Sequence, residues 1–301
     1  MLKRLFASRK RPYLINGHIR EKIRIDLSGN ILTMELPPHH SYGGFAGDTS
    51  SGEKAPPESI NIYSPDGYWS DQIEEEEGMG WRREGFAMQS ILKREWDFMG
   101  PVWRGRPLGS ISMVMMLCHD ETLPETMSYF NPSDFGKITL RAAYFKALRA
   151  INLHKPKVPV NWQVIQKQQI PWVLYEIHDT LQGDPEQTRL LANSLASLMI
   201  PLAREYSLRL YFTYTGYTPV SFSRKNMNKV RDQIIESMQL SYTPEHLQQI
   251  RHLRERHPES TITEELEPMP WVFPEWRIGD ADAGEPEYMI TKAGTPAPTL
   301  S

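Results

Sequence analysis

Residues 207–217 read S-L-R-L-Y-F-T-Y-T-G-Y, and no other stretch limits the fold so tightly. Leu208, Leu210, Phe212 and Tyr214 alternate with Arg209, Tyr211, Thr213 and Thr215, the period of two expected of a strand with one face buried and the other in water. Over 225–240, Met227, Val230, Ile234 and Met238 recur at steps of three and four, while Asn228, Lys229, Arg231, Asp232 and Glu236 fall on the opposite side. That spacing predicts an amphipathic helix facing water with its charged side. A strand with one buried face belongs to a sheet packed on a second layer, so further strands and a covering layer are expected from the rest of the chain.

Several segments qualify. Ile23, Ile25 and Leu27, the turn Ser28-Gly29-Asn30 and the apolar run 31–36 predict a hairpin. A short strand is expected at 60–63, and long strands at 81–98 and 108–119, joined by M-G-P-V-W-R-G-R-P, whose glycines and prolines break any helix. The second long run is apolar on both faces, as in a central strand covered by a helix. Asn131-Pro132 starts a helix with the stripe Phe135, Ile138, Ala142, Phe145 and Leu148. The prolines and lysines of 154–159 mark a pause. Two further strands are expected at 160–169 and 171–179, with a bend at Pro171. Residues 184–202 leave helix and strand open: Leu191, Leu195, Leu198 and Leu202 suit a helix, S-L-M-I-P-L a buried strand. Thr243-Pro244-Glu245 caps a polar helix reaching about 257.

The fold class is therefore α+β: largely antiparallel twisted sheets packed by helices, with room for two similar strand-rich units. The divisions are 1–157, a strand-rich unit with one helix; 158–257, a second unit; and 258–301, an acidic proline-rich tail expected to be mobile or extended on the domain. Residues 37–57 form a loop of about twenty residues, a length that tends to be functional or disordered.

A net charge of −3 over 301 residues argues against nucleic acid as the main partner. The charge is unevenly placed. Residues 1–24 carry eight basic side chains against Glu21, a net of +7, and residues 257–301 carry nine acidic ones against Arg277 and Lys292, a net of −7. The two ends can attract each other or recruit partners. Cys118 is the only cysteine, which leaves no intramolecular disulfide, and its apolar setting predicts a buried, unreactive thiol. No eighteen-residue apolar run predicts a membrane span, and the opening M-L-K-R-L-F lacks a secretory core, so a cytoplasmic protein is expected.

No phosphate-binding loop, zinc-protease helix or dinucleotide fingerprint occurs, and no cofactor or metal is expected. Three histidine groups could still carry chemistry. His39 and His40 with Asp48 have the donor types zinc accepts, and His119-Asp120-Glu121 and His178-Asp179 stand at predicted strand ends, where acid–base groups could converge. Surface and turn roles are the favoured reading of all three. Aromatic display is the stronger signal. Trp96, Phe98 and Trp103 bracket the Gly100-Pro101 turn, and Trp271, Phe273 and Trp276 sit among prolines and carboxylates of the tail. Tryptophans so placed serve as interface anchors or dock back on their own domain.

The succession W-V-L-Y-E-I-H-D, S-L-M-I-P-L, L-R-L-Y-F-T-Y-T and I-I-E-S-M-Q-L, within residues 160–242, resembles the closing half of PsbP-like α/β sandwiches. That grouping includes a nuclear-import cofactor, a photosystem extrinsic subunit and bacterial secretion-effector chaperones. The resemblance implies a binder or adaptor and carries no catalytic residues. The expected function is a non-enzymatic protein-binding module, an adaptor, chaperone or immunity-type protein, with Trp103, Trp271, Phe273 and Trp276 as candidate partner contacts. The alternatives are a histidine/carboxylate hydrolase and a structural subunit of a larger assembly.

Overall fold

The alternating residues 207–215 form a strand at the middle of the larger sheet. The computed structural model describes residues 2–41, 54–64, 66–70, 86–148, 155–167, 170–180, 194–262, 269–272 and 288–291. In chain order these form helix α1 (Leu2–Leu5), strands β1 (Tyr13–Leu14), β2 (Glu21–Leu27), β3 (Asn30–Leu36), β4 (Ser59–Ile60), β5 (Trp69–Ser70), β6 (Phe86–Met99) and β7 (Pro107–Asp120), helix α2 (Pro132–Leu148), strands β8 (Lys155–Lys167), β9 (Ile170–Thr180), β10 (Ser194–Pro201) and β11 (Tyr206–Thr215), helix α3 (Val220–Ser237), strand β12 (Gln239–Ser241), helix α4 (Pro244–Arg256), and strands β13 (Met269–Val272) and β14 (Tyr288–Thr291).

The architecture is α+β. Eight strands make an antiparallel sheet ordered β1-β6-β7-β11-β10-β9-β8, with β5 also on β6. A four-stranded sheet, β12-β3-β2-β4, is antiparallel except where β4 joins β2. The β2–β3 hairpin turns where predicted: Ser28 and Gly29 take φ of 54° and 89°, the left-handed pair that a two-residue hairpin loop requires. Residues 184–202 resolve in favour of strand where described, as β10, and 181–193 lie outside the described residues.

One face of the large sheet presents Leu92, Trp96, Met113, Met115, Leu174, Leu198, Leu210 and Phe212 to the small sheet's Ile25, Leu27, Leu32 and Met34 and to Met227, Val230 and Ile234 of α3, in one continuous core. The other face, at β9 and β10, meets α2 through Val173, Tyr175, Met199, Phe135 and Ile138. A smaller cluster seats α4 by Ile250 against Phe130 and Ile170. Thr243 caps α4 as expected, its Oγ1 accepting from the His246 amide at 3.2 Å.

Four expectations need correction. The second face of β11 is not uniformly wet: Ser207 and Arg209 are buried, and only toward Thr213 does it open, because Tyr129 and Tyr175 cover its first half. Arg231, assigned to the solvent side of α3, is also buried. Its Nη1 donates to Glu176 Oε1 of β9 at 2.5 Å, Asn161 Nδ2 donates to the other carboxylate oxygen at 3.0 Å, and Arg224 stands 3.9 Å away. Residues 155–159 do not pause but run inside β8, so the boundary read at 157 falls within a strand, and β7 and β11 from either side of it are sheet neighbours. Trp96 and Phe98 are core residues instead of displayed anchors, the indole Nε1 of Trp96 donating to Pro37 O at 3.0 Å.

Phe212→Ala should destabilise the fold by about 3–5 kcal/mol, read from denaturant unfolding; a change within about 0.5 kcal/mol would mean that Phe212 does not hold the two sheets together. Arg231→Ala strands a buried carboxylate and should cost about 3 kcal/mol, and Arg231→Ala with Glu176→Leu should recover much of that, since replacing both partners removes the desolvation penalty.

Candidate functional site

The basic start of the chain is held against the β6–β7 turn. Arg4 Nε donates to Gly100 O at 3.4 Å and its Nη2 to Arg104 O at 3.3 Å, while β1 pairs Tyr13 and Leu14 with Met99 and Phe98. Tyr217, just past β11, anchors the arm from below: its hydroxyl donates to Arg9 O at 3.1 Å and accepts from Asn226 Nδ2 at 3.2 Å. Burial pushes that phenol up to about 12, Asn226 offsetting part of the rise. Gly109 lets these layers close, since a Cβ there would sit 2.3 Å from Thr215 O and 3.1 Å from the Tyr217 ring.

The result is an open cavity of about 540 Å³ into which three separate parts of the chain bring Arg9, Arg104, Arg106, Trp103 and Tyr217. A second cavity of about 680 Å³ runs beside it between the arm and α3, with Lys10, Arg11, Lys225 and Lys229 against Asp232 and Glu236. Trp103 is 79% exposed and Phe6 83% exposed, unusual for rings of that size. None of the ion pairs among the described residues uses Arg9, Lys10, Arg11, Arg104 or Arg106. Arg9, Arg104 and Arg106, gathered at the first cavity with no acidic side chain lining it, repel one another, and an incoming carboxylate or phosphate relieves that repulsion while taking paired hydrogen bonds from a guanidinium. A planar Trp face beside them accepts an apolar or aromatic side chain, or stacks a guanidinium.

The histidines do not assemble. His39 Nδ1 accepts from the Glu95 amide at 3.0 Å and His40 lies 3.8 Å from Asp97, both at the last third of β6. His119 pairs with Ala87 at the other end of that strand, roughly 30 Å away at about 3.3 Å per residue. There its ring stacks on Tyr206 at 4.3 Å and its Nε2 stands 3.4 Å from Glu205. His178, opposite Ser194 of β10, is level with His40 but five inter-strand steps across, about 24 Å along the sheet. Asp120 serves the local turn, accepting from Thr122 N at 3.2 Å, and Asp179 pairs with Pro156. Asp48 lies outside the described residues. Among the described residues the groups proposed for a hydrolase therefore stand at separate places on the sheet. Among the described residues no three metal-ligating side chains cluster, and Cys118 is buried.

Of the expected partner contacts, Trp103 is the one at the cavity. Trp271 lies in β13 opposite Met289 of β14; Phe273 and Trp276 lie outside the described residues. Sequence reading noticed the +7 start and the W-R-G-R turn separately, and only the fold brings them to one place. It also missed a partly buried polar knot: Asn30 Oδ1 accepts from the Thr243 amide at 3.1 Å and from His246 Nδ1 at 2.9 Å, while Tyr63 OH meets His246 Nε2 at 3.2 Å. With Nδ1 donating, Nε2 of the neutral ring accepts from Tyr63. No helix of the described residues is long and apolar enough to cross a membrane. Set beside known protein families, curated proteins and solved structures, the chain matches none.

Burial holds the His246 imidazole below its ordinary 6.5, with Glu245 offsetting part of the effect. As pH falls through 6.5 the unfolded chain takes up this proton before the folded one, so stability should fall with pH from there down to the lowered folded value, by at most about 1.4 kcal/mol per pH unit, and then level off. Urea unfolding at a series of pH values should show that slope in the parent and a flatter one in His246→Gln; identical slopes would mean that other groups set it.

Proposed function

We propose that this chain is a non-enzymatic binding module, of the adaptor, chaperone or immunity-protein kind, that receives an acidic segment of another protein on the end built from residues 4–11 and the β6–β7 turn. The observation that carries the reading is the exposed Trp103 set among Arg9, Arg104 and Arg106, none of them ion-paired among the described residues. Desolvating a tryptophan supplies binding energy, and the surrounding arginines select the charge of what covers it. The pattern likeness of residues 160–242 to PsbP-like binders points the same way. A net charge of −3 does not oppose it, because association responds to the local field within about 10 Å at 0.1 M salt.

Arg104→Glu combined with Arg106→Glu should abolish retention of the protein on immobilised poly-glutamate at low salt and weaken capture of its protein partner by at least about tenfold, a loss of about 1.4 kcal/mol. Its melting temperature should be unchanged, since both side chains are exposed. Retention equal to that of the parent would remove this end as the docking surface.

A further inference from the structure

The acidic complement to this site is carried by the chain itself. Residues 273–287 read F-P-E-W-R-I-G-D-A-D-A-G-E-P-E: five carboxylates against Arg277, a net of −4, with Phe273 and Trp276 held between prolines and acids. The basic end offers the converse: Arg9, Arg104 and Arg106 line one cavity with the exposed Trp103, Lys10 and Arg11 line the one beside it, and the exposed Phe6 belongs to the same arm. The two are opposite in net charge, and each carries exposed or sequence-flanked aromatic residues. Such a segment needs a cover for its rings, because a stretch rich in glycine, proline and carboxylates cannot bury them by itself.

The fold sets where the segment starts and ends. Val272 of β13 pairs with Tyr288 of β14, so both ends are held together, and β14 lies beside β8, at one margin of the large sheet. The basic end belongs to β7 and to the arm strapped on β6 by β1, at the other side, with β9, β10 and β11 in between. We infer that the acidic segment 273–287 of one copy docks on the basic aromatic end of a second copy, giving a head-to-tail association. The inference rests on the reading of that end as a protein-docking surface. Contacts of this kind join two different patches, so they close into a ring where the rotation between copies allows it and otherwise add copies in series. They are also electrostatic at the rim, and weaken as salt screens them.

The test uses the full chain and a labelled synthetic peptide of residues 273–287. At about 50 mM salt the peptide should bind saturably by fluorescence anisotropy, at least about tenfold more tightly than a scrambled peptide of the same composition or one with both aromatic residues changed to alanine. Arg104→Glu with Arg106→Glu should abolish that binding. Light scattering should show a mass that rises with protein concentration and returns to one copy at about 0.5 M salt, and Glu275→Lys with Asp280→Lys in the full chain should hold it at one copy throughout. If the peptide fails while poly-glutamate binds and is lost in the arginine variant, the inter-copy contact is overturned and the docking surface stands. If neither binds, both are overturned. An oligo-dT strand bound more tightly than the peptide, and lost in the same variant, overturns both in favour of nucleic acid. A mass of one copy at every concentration, or peptide binding that appears only after the chain's own five carboxylates are changed to amides, overturns the inter-copy contact.

Discussion

Everything else in this fold hangs on the ladder between β7 and β11, which runs without a break from Ser110 opposite Thr215 to His119 opposite Tyr206. These strands come from distant parts of the chain, and neither can be left exposed on the face bearing Met113, Met115, Leu117, Leu208, Leu210 and Phe212. A shift of one residue would turn that whole apolar set to the opposite face. Register is therefore specified by burial, and the remaining strands add outward on either side: β6 and β1 beyond β7, and β10, β9 and β8 beyond β11. The small sheet and α3 close the core from above, α2 from below.

Two buried charged groups then tie the layers together. Arg231 of α3 reaches Glu176 of β9, with Asn161 and Arg224 completing the carboxylate's surroundings. A buried pair of this kind gives little net stability against an apolar replacement, because desolvation offsets most of the attraction. What it does give is position: a Glu176 that does not meet Arg231 is a buried carboxylate short of its nearest cation, which favours one placement of α3. The adjacent Tyr214 phenol is held well above its ordinary value by burial, an effect the Arg231 cation partly offsets. The knot of Asn30, Thr243, Tyr63 and His246 acts similarly for α4, linking its first turn to the start of β3.

The legible part of the fold was the part whose pattern is local. The alternation of 207–217, the Ser28-Gly29 turn, the Asn131-Pro132 helix start and the Thr243 cap all express constraints a few residues long, and each has its element in the structure. Less legible were features decided by what packs on top. Arg209 and Arg231 sit at polar positions of regular patterns, yet Tyr129, Tyr175 and Glu176, remote in sequence, bury them. The prolines and lysines of 155–159 look like a linker and are instead strand, as suits a margin of the sheet, where a missing amide donor costs least. The twenty-residue loop has His40 and Lys54 bridged to Trp96 and Lys93 of β6, a pairing that no local signal announces. As for the site, the tryptophan was readable from its turn, but the convergence of Arg9 on Arg104 and Arg106 depends on the Tyr217 hydroxyl taking hold of the Arg9 backbone.

That last contact shows how the fold makes a surface out of a charge bias. A basic stretch on a loose arm is a diffuse field, attractive to any anion and selective for none. Here the arm is fixed at four points: Arg4 on the Gly100 and Arg104 carbonyls, Tyr13 and Leu14 on β6, Arg9 O under Tyr217, and Lys10 O under Asn226. Each fixed point removes conformational freedom before any partner arrives, so less of it is lost on binding. Gly109 is the structural condition for this, since any side chain there would meet Thr215 O and the Tyr217 ring and lift the arm away. The basic patch is thus held in shape by the same β7–β11 register that builds the core, with Gly109 and Tyr217 flanking its outermost pair.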